Sequence, residues 1–198
     1  MSSYHHGNLR PALIEAAVEL ARAEGPDGVV LREVARRTGV SHNAAYRHFA
    51  DREALLGEVA AVAMSRLSEA MQRGIDAVRL VDPRERAAEQ LRAVGRAYVD
   101  FALAERGLFE IAFAGLPQPE PDGDTALDPY ALLNRCLDTC VVAGVVAPEL
   151  RPGADVVCWA AVHGFSVLHL DGPLRDLPPD DRAAVLEVLL DHVARGLA

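Results

Sequence analysis

This sequence predicts an all-α fold, a small helical part followed by a larger one, and three observations carry that expectation. Alanine, leucine and valine supply much of a hydrophobic fraction of 51%, while aromatic residues reach only 5%, a balance that favours helices over sheet. Apolar residues recur at spacings of three and four along most of the chain. Proline, glycine and capping side chains fall between those periodic runs, where helices must stop and start.

The first helix is expected over residues 9–24. Asn8 can cap it, Pro11 is tolerated in its first turn, and Leu9, Leu13, Ala16, Ala17 and Leu20 form one apolar face. Gly25-Pro26-Asp27-Gly28 stops it. A short second helix at about 30–37 buries Leu31, Val34 and Ala35. Gly39 turns the chain, and Ser41 caps a third helix running through Phe49. Asp51 caps a longer fourth helix over about 52–80, ending near Asp82-Pro83. Further helices are expected at about 84–104, 107–115, 127–147, 154–170 and 180–197, separated by Pro- and Gly-marked breaks. The acid-rich segment LPQPEPDGDTALDP, residues 116–129, reads as a solvated loop without calcium-loop spacing.

Charge divides the chain unevenly. The net charge is -9, yet residues 1–50 hold six Arg against five Asp and Glu, so the remainder carries all of the acidic excess. Every one of the twenty basic residues is arginine, and four of the seven histidines fall within the first 48 residues. The acidic bulk would repel a polyanion, so nucleic acid can meet this chain only near its N-terminus. No apolar run approaches the roughly 18 residues of a membrane-spanning helix. The opening MSSYHHGNLR lacks the charged-then-apolar layout of a signal peptide. Cys136, Cys140 and Cys158 are too few for a disulfide framework. A cytoplasmic protein with no membrane partner is the expectation.

The stretch TGVSHNAAYRHF, residues 38–49, crowds hydrogen-bond donors onto one short segment. At about 100° per residue, His42, Asn43, Tyr46 and Arg47 share an arc of about 140°. Ala44, Ala45 and Phe49 fall on the other side, with His48 near the edge. A small apolar back, a donor-rich front and a preceding glycine turn make the geometry of a helix-turn-helix. In that setting Arg can read guanine, Asn can read adenine, and Tyr or His can hold phosphates. The plainer alternative is a solvated helix face.

Residues 31–56, LREVARRTGVSHNAAYRHFADREALL, resemble the tetracycline-repressor (TetR) family of bacterial transcriptional regulators. The opening YHHGNLRPALIEAA and the downstream Trp159-Ala-Ala-Val-His-Gly164 are similar to one branch of it. The resemblance implies a DNA-binding domain over residues 1–52 and a ligand-binding, dimerising domain over 53–198, with helix four connecting them. It implies a homodimer that binds a double-stranded operator and a small-molecule effector, with no cofactor, metal or catalytic residue. Tyr46, His48 and Arg52 would contact phosphates, His42, Asn43 and Arg47 would meet base edges or nearby phosphates, and Ser41 would belong to the same DNA-binding set. Two departures stand out: Val30 replaces the usual Thr or Ser at the start of helix two, and Asn43 stands where Gly is frequent.

For the larger domain, Tyr98, Phe101, Phe109, Phe113, Tyr130 and Trp159 are the candidate ligand-facing side chains, against the alternative of simple core packing. His163, set among Trp159, Val162 and Phe165, needs a hydrogen-bond partner, which could be a ligand or a backbone carbonyl. Gly164 would permit a close helix crossing. Cys136 and Cys140 lie one turn apart but match no common zinc spacing, which favours inert buried thiols. Ala160, Val167, Val185, Leu189 and Val193 recur at helical intervals on the last two helices and could face a second copy or an internal core. An enzyme built on His163 with Asp171 or Cys158 lacks a recognisable nucleophile–base–orienter trio. A helical interaction module without DNA binding is favoured only by Val30.

Overall fold

The computed structural model describes residues 9–117 and 128–198. Asn8 and residues 118–127, most of the expected acidic loop, lie outside the described residues. Among the described residues every regular element is helical. These are α1 (Leu9–Glu24), α2 (Leu31–Arg37), α3 (His42–Tyr46), α4 (Arg52–Ala77), α5 (Pro83–Ala104), α6 (Arg106–Ala112), α7 (Pro129–Val142), α8 (Ala154–Leu170) and α9 (Pro179–Gly196). Short 3₁₀ turns occupy Pro26–Gly28 and Pro148–Leu150.

The expected helices are present, and the boundary differences have local causes. The third ends at Tyr46 rather than Phe49. Phe49 is 1% exposed in the core, and Asp51 accepts from the Ala54 N–H at 2.8 Å to start α4, so the chain between them must turn. The helix expected over 127–147 is shorter at both ends. Asp128 caps it by accepting from the N–H groups of Tyr130 and Ala131, and Gly144 takes φ 70° just beyond its end.

Tertiary contacts group the described residues into two units, 9–64 with 105–117 and 65–104 with 128–198. The first half of α4 belongs to one unit and its second half to the other. In the first unit Leu13, Ala17, Leu20, Val34, Ala45, Phe49 and Leu55 are all buried. There α6 lies against α1 through Gly107, where a Cβ would fall 1.9 Å from the Ala21 carbonyl oxygen. Only glycine fits so close an approach. Arg22 holds the two oxygens of Glu105 beside that contact.

In the second unit α5 packs against α7, α8 and α9. Val94, Tyr98, Val99, Leu132 and Leu137 fill this core, with Met71 entering from α4. Gly74 brings α4 close to α5, since a Cβ there would lie 3.1 Å from the Ala93 carbonyl oxygen. Arg92 to Asp191 at 2.5 Å and Arg96 to Glu187 at 2.6 Å join α5 to α9 at the surface. Ion pairs this exposed contribute little beyond registration, on the order of 0–1 kcal/mol each.

Candidate functional site

Gly39 supplies the turn between α2 and α3 with φ 70°, a conformation that costs glycine little. Ser41 then starts α3, its Oγ accepting from the Ala44 N–H at 3.2 Å. Ala45 is buried and Ala44 half-buried, which fixes which face turns inward. Ser41, His42, Asn43, Tyr46 and Arg47 are exposed together, while His48 is half-buried. The His42 and Tyr46 rings meet nearly edge-on, centroids 4.6 Å apart. Because α3 stops at Tyr46, Arg47 is its C-cap residue rather than a mid-helix residue. Five exposed polar side chains thus cluster on this short, capped segment.

Val30 occupies the N-cap of α2 with no side-chain hydrogen bond, as the missing hydroxyl requires. Arg52, at the first turn of α4, reaches back toward that junction. Its Nε donates to the Val29 carbonyl at 2.8 Å and its Nη2 to the Pro26 carbonyl at 2.5 Å. The guanidinium therefore braces the chain entering α2, a role that sequence spacing did not reveal.

In the second unit a cavity of about 40 Å³ opens between helices. Met71 of α4, Tyr98 of α5, Leu133 of α7, Cys158 and Trp159 of α8 and Leu190 of α9 line it. Arg92 is the one charged residue in its lining, and Asp191 already neutralises it. Tyr98 and Trp159, two of the sequence candidates, thus share this cavity, their rings 5.2 Å apart. His163 joins it indirectly, through a 2.8 Å hydrogen bond between its Nδ1 and the Tyr98 hydroxyl. This partner is a side chain from α5, whereas the sequence suggested a ligand or a backbone carbonyl. Burial pushes the Tyr98 pKa up and the His163 pKa down, so both groups favour their neutral forms.

Phe101 and Tyr130 do not line this cavity. Phe101 is buried within α5, and Tyr130 is 41% exposed with its hydroxyl donating to Asp155. Phe109 and Phe113 belong to the first unit, their rings 4.8 Å apart. Met71 and Leu133 were missed as lining residues, because apolar helical spacing looks the same for core and cavity wall. All three cysteines are buried. Burial raises the thiols of Cys136 and Cys158 to about 11 and that of Cys140 to about 12, which keeps them protonated and poorly reactive. No group of His, Cys, Asp or Glu among the described residues could hold a metal ion.

An apolar surface covers the outer sides of α8 and α9. Ala160, Val167 and Val185 are exposed there, together with Val156, Val157, Leu168 and Val188. An added Cβ at Gly164 would meet nothing within 4 Å. Two of the expected positions sit elsewhere: Leu189 is half-buried and Val193 lines the cavity. Val156, Val157 and Leu168 of α8 and Val188 of α9 had escaped notice, although α8 has apolar residues on nearly every side, a legible signal of a second packing face.

Two family models match this chain. Residues 13–59 match the bacterial regulatory proteins of the tetR family, and residues 91–193 match the tetracyclin repressor-like C-terminal domain. A Bacillus subtilis protein described as the uncharacterised HTH-type transcriptional regulator YobS is 26% identical over 163 residues, covering 82% of this chain and 79% of that one. A Rhodococcus sp. RHA1 structure of unknown function is 31% identical over the full length of both chains, with a TM-score of 0.79. A TetR variant from Acinetobacter baumannii AYE, solved in complex with minocycline, is 24% identical and covers 98% of this chain and 96% of its own, with a TM-score of 0.63. No helix among the described residues is long and apolar enough to cross a membrane.

Proposed function

Because this chain belongs to the tetracycline-repressor family of bacterial transcriptional regulators, we propose that it is a homodimeric cytoplasmic repressor, released from a palindromic operator by a small-molecule effector. The observation that carries this reading is the exposed, donor-rich α3, seated on a buried apolar back and capped by Ser41. We assign base-edge contacts to Asn43 and Arg47, and phosphate or flanking contacts to Ser41, His42, Tyr46 and His48. Arg52 acts here by bracing the chain that enters α2, and it reaches a phosphate only if it leaves the carbonyls it holds. Residues 1–52 form the DNA-contacting domain in this reading, and residues 53–198 bind effector and dimerise.

The effector class follows from the cavity. Its walls are apolar and aromatic, and its one charged residue is already paired, so an uncharged, compact ligand fits better than an anion. A cavity of about 40 Å³ is small beside the roughly 150 Å³ that holds benzene, so binding must move side chains, Met71 foremost. An effector that prefers such an opened state tenfold shifts the balance by only about 1.4 kcal/mol, so strong release needs a larger preference. In a dimer the exposed apolar face of α8 and α9 would pack against its own copy. Two recognition helices are then spaced for half-sites about 34–36 Å apart.

The test is selection of bound sequences from random duplex DNA, with and without a library of neutral and anionic metabolites. Enrichment of a palindrome that a neutral aromatic compound abolishes, with a change in Trp159 fluorescence, is the expected result. If no sequence is enriched by folded dimer at low salt, the DNA-binding assignment fails. If only anions release DNA, the effector class is wrong.

A further inference from the structure

Ion pairs mark the seam between α5 and α9 one turn at a time. Arg92 meets Asp191 at 2.5 Å, and Arg96, one turn on, meets Glu187, one turn back, at 2.6 Å. The two helices therefore run antiparallel, and each turn along α5 answers a turn back along α9. Gly95 and Leu190 keep the same register, since a Cβ at Gly95 would fall 2.5 Å from Leu190 Cδ2. One further turn brings Asp100 opposite Ala183, and there the series of pairs stops. The Asp100 carboxylate is exposed and makes no hydrogen bond or ion pair with the described residues. The guanidinium of Arg182, half-buried beside Ala183, makes none either.

Where the pairing stops, α5 and α9 enclose an open groove of about 770 Å³. Its apolar lining includes Val99, Leu103 and Leu186, of which Val99 is 1% and Leu186 6% exposed. It shares no lining residue with the cavity beside Tyr98 and Trp159. We propose that this groove is a separate small-molecule site, built for a zwitterion: an α-amino acid with an apolar side chain, its ammonium on Asp100 and its carboxylate on Arg182. The proposal stands independently of the regulator reading above.

Charge decides the class of ligand. Two cations and two carboxylates line the groove. Arg96 and Glu187 already satisfy one another through two hydrogen bonds, which leaves one group of each sign. A simple anion would meet Arg182 but be repelled by Asp100, and a simple amine would suffer the reverse. A zwitterion offers each of them a charge-assisted hydrogen bond. The volume falls within the roughly 300–1,000 Å³ of small-molecule pockets, and the apolar lining favours a hydrocarbon side chain over a polar one.

Calorimetric titration of the full-length protein tests the site. The probes are L-leucine, isocaproate, which lacks the amine, and isoamylamine, which lacks the carboxylate. Leucine should bind at millimolar concentration, and each truncated probe should bind about tenfold more weakly, because it leaves one charged group without its partner. Asp100→Asn and Arg182→Gln should each weaken leucine by a similar factor. Ala183→Arg, which sets a guanidinium opposite Asp100, should abolish leucine binding. These side chains are exposed or half-buried, and circular dichroism melting confirms that each variant is folded at the assay temperature. Trp159 lines the cavity and not the groove, so its fluorescence should stay constant as leucine binds. Failure of leucine to bind wild type overturns the proposal, as does binding that all three substitutions leave unchanged. Isocaproate or isoamylamine binding as tightly as leucine overturns the zwitterion assignment. Leucine binding that alters Trp159 fluorescence and ignores Ala183→Arg would belong to the cavity, and this site would fall.

Discussion

The Tyr98 hydroxyl and His163 Nδ1 lie 2.8 Å apart and join α5 to α8 beside the only tryptophan of the chain. Burial lowers the His163 pKa in the folded protein. The unfolded chain therefore binds a proton more readily, and stability falls as pH drops through the ordinary histidine value of about 6.5. The loss levels off once the pH is below the folded value. His163→Asn keeps a polar side chain at the position but cannot titrate. Denaturant midpoints at neutral and mildly acidic pH should show wild type losing ground to His163→Asn on acidification. A constant difference between the two proteins would mean that His163 does not carry this pH dependence.

Reading and positioning should separate on α3. Arg47→Ala is expected to cost about 1–3 kcal/mol on the preferred duplex and to relax the preference at one position. Tyr46→Phe removes only a hydroxyl, so it should weaken preferred and unrelated duplexes alike. Competition binding with single-base variants of the selected duplex checks both. Uniform weakening by Arg47→Ala would make it a backbone clamp.

Glu33 accepts hydrogen bonds from both Arg36 and Arg37. Hydrogen bonds from Arg36, and then from Arg37, hold its carboxyl down to about 2. A depressed carboxylate stabilises the fold above its unfolded pKa of about 4.3, and that contribution disappears as pH falls toward the folded value. Glu33→Gln should therefore lie below wild type in thermal stability at neutral pH and converge with it between about pH 4 and pH 2. The second expectation concerns DNA: freeing Arg36 and Arg37 should steepen the salt dependence of binding. Melting curves that stay parallel down to pH 2 would contradict the first.

The proposed dimer face can be tested without disturbing the protomer core. Val188 is 55% exposed and Gly164 has open space where a Cβ would go. Gly164→Ala should thus be tolerated in the monomer, even favoured by up to about 1 kcal/mol of helix propensity. In a dimer with closely crossing α8 helices the same methyl group would collide with the partner. Sedimentation equilibrium should show weaker association for Gly164→Ala and for Val188→Asp, with helical content preserved. Unchanged association in both would place the interface elsewhere.

Local chemistry made the helices legible. Ser41 and Asp51 cap the elements that follow them, Gly39 takes its left-handed turn, and the apolar stripes of α1 and α2 turn inward as their spacing implies. These features act within a few residues, so one strand of text contains them. The donor-rich side of α3 was readable for the same reason. Tertiary structure decided the rest. Val185 and Val193 share one helix and one spacing pattern, yet one is exposed and the other lines a cavity. Tyr98 finds His163 65 positions away, and Arg52 turns to carbonyls 23 and 26 positions back. Arg10 and Arg22 meet Glu58 and Glu105, carboxylates 48 and 83 positions away. Side-chain spacing sets the face on which a group lies; only the crossing of helices sets what that face meets.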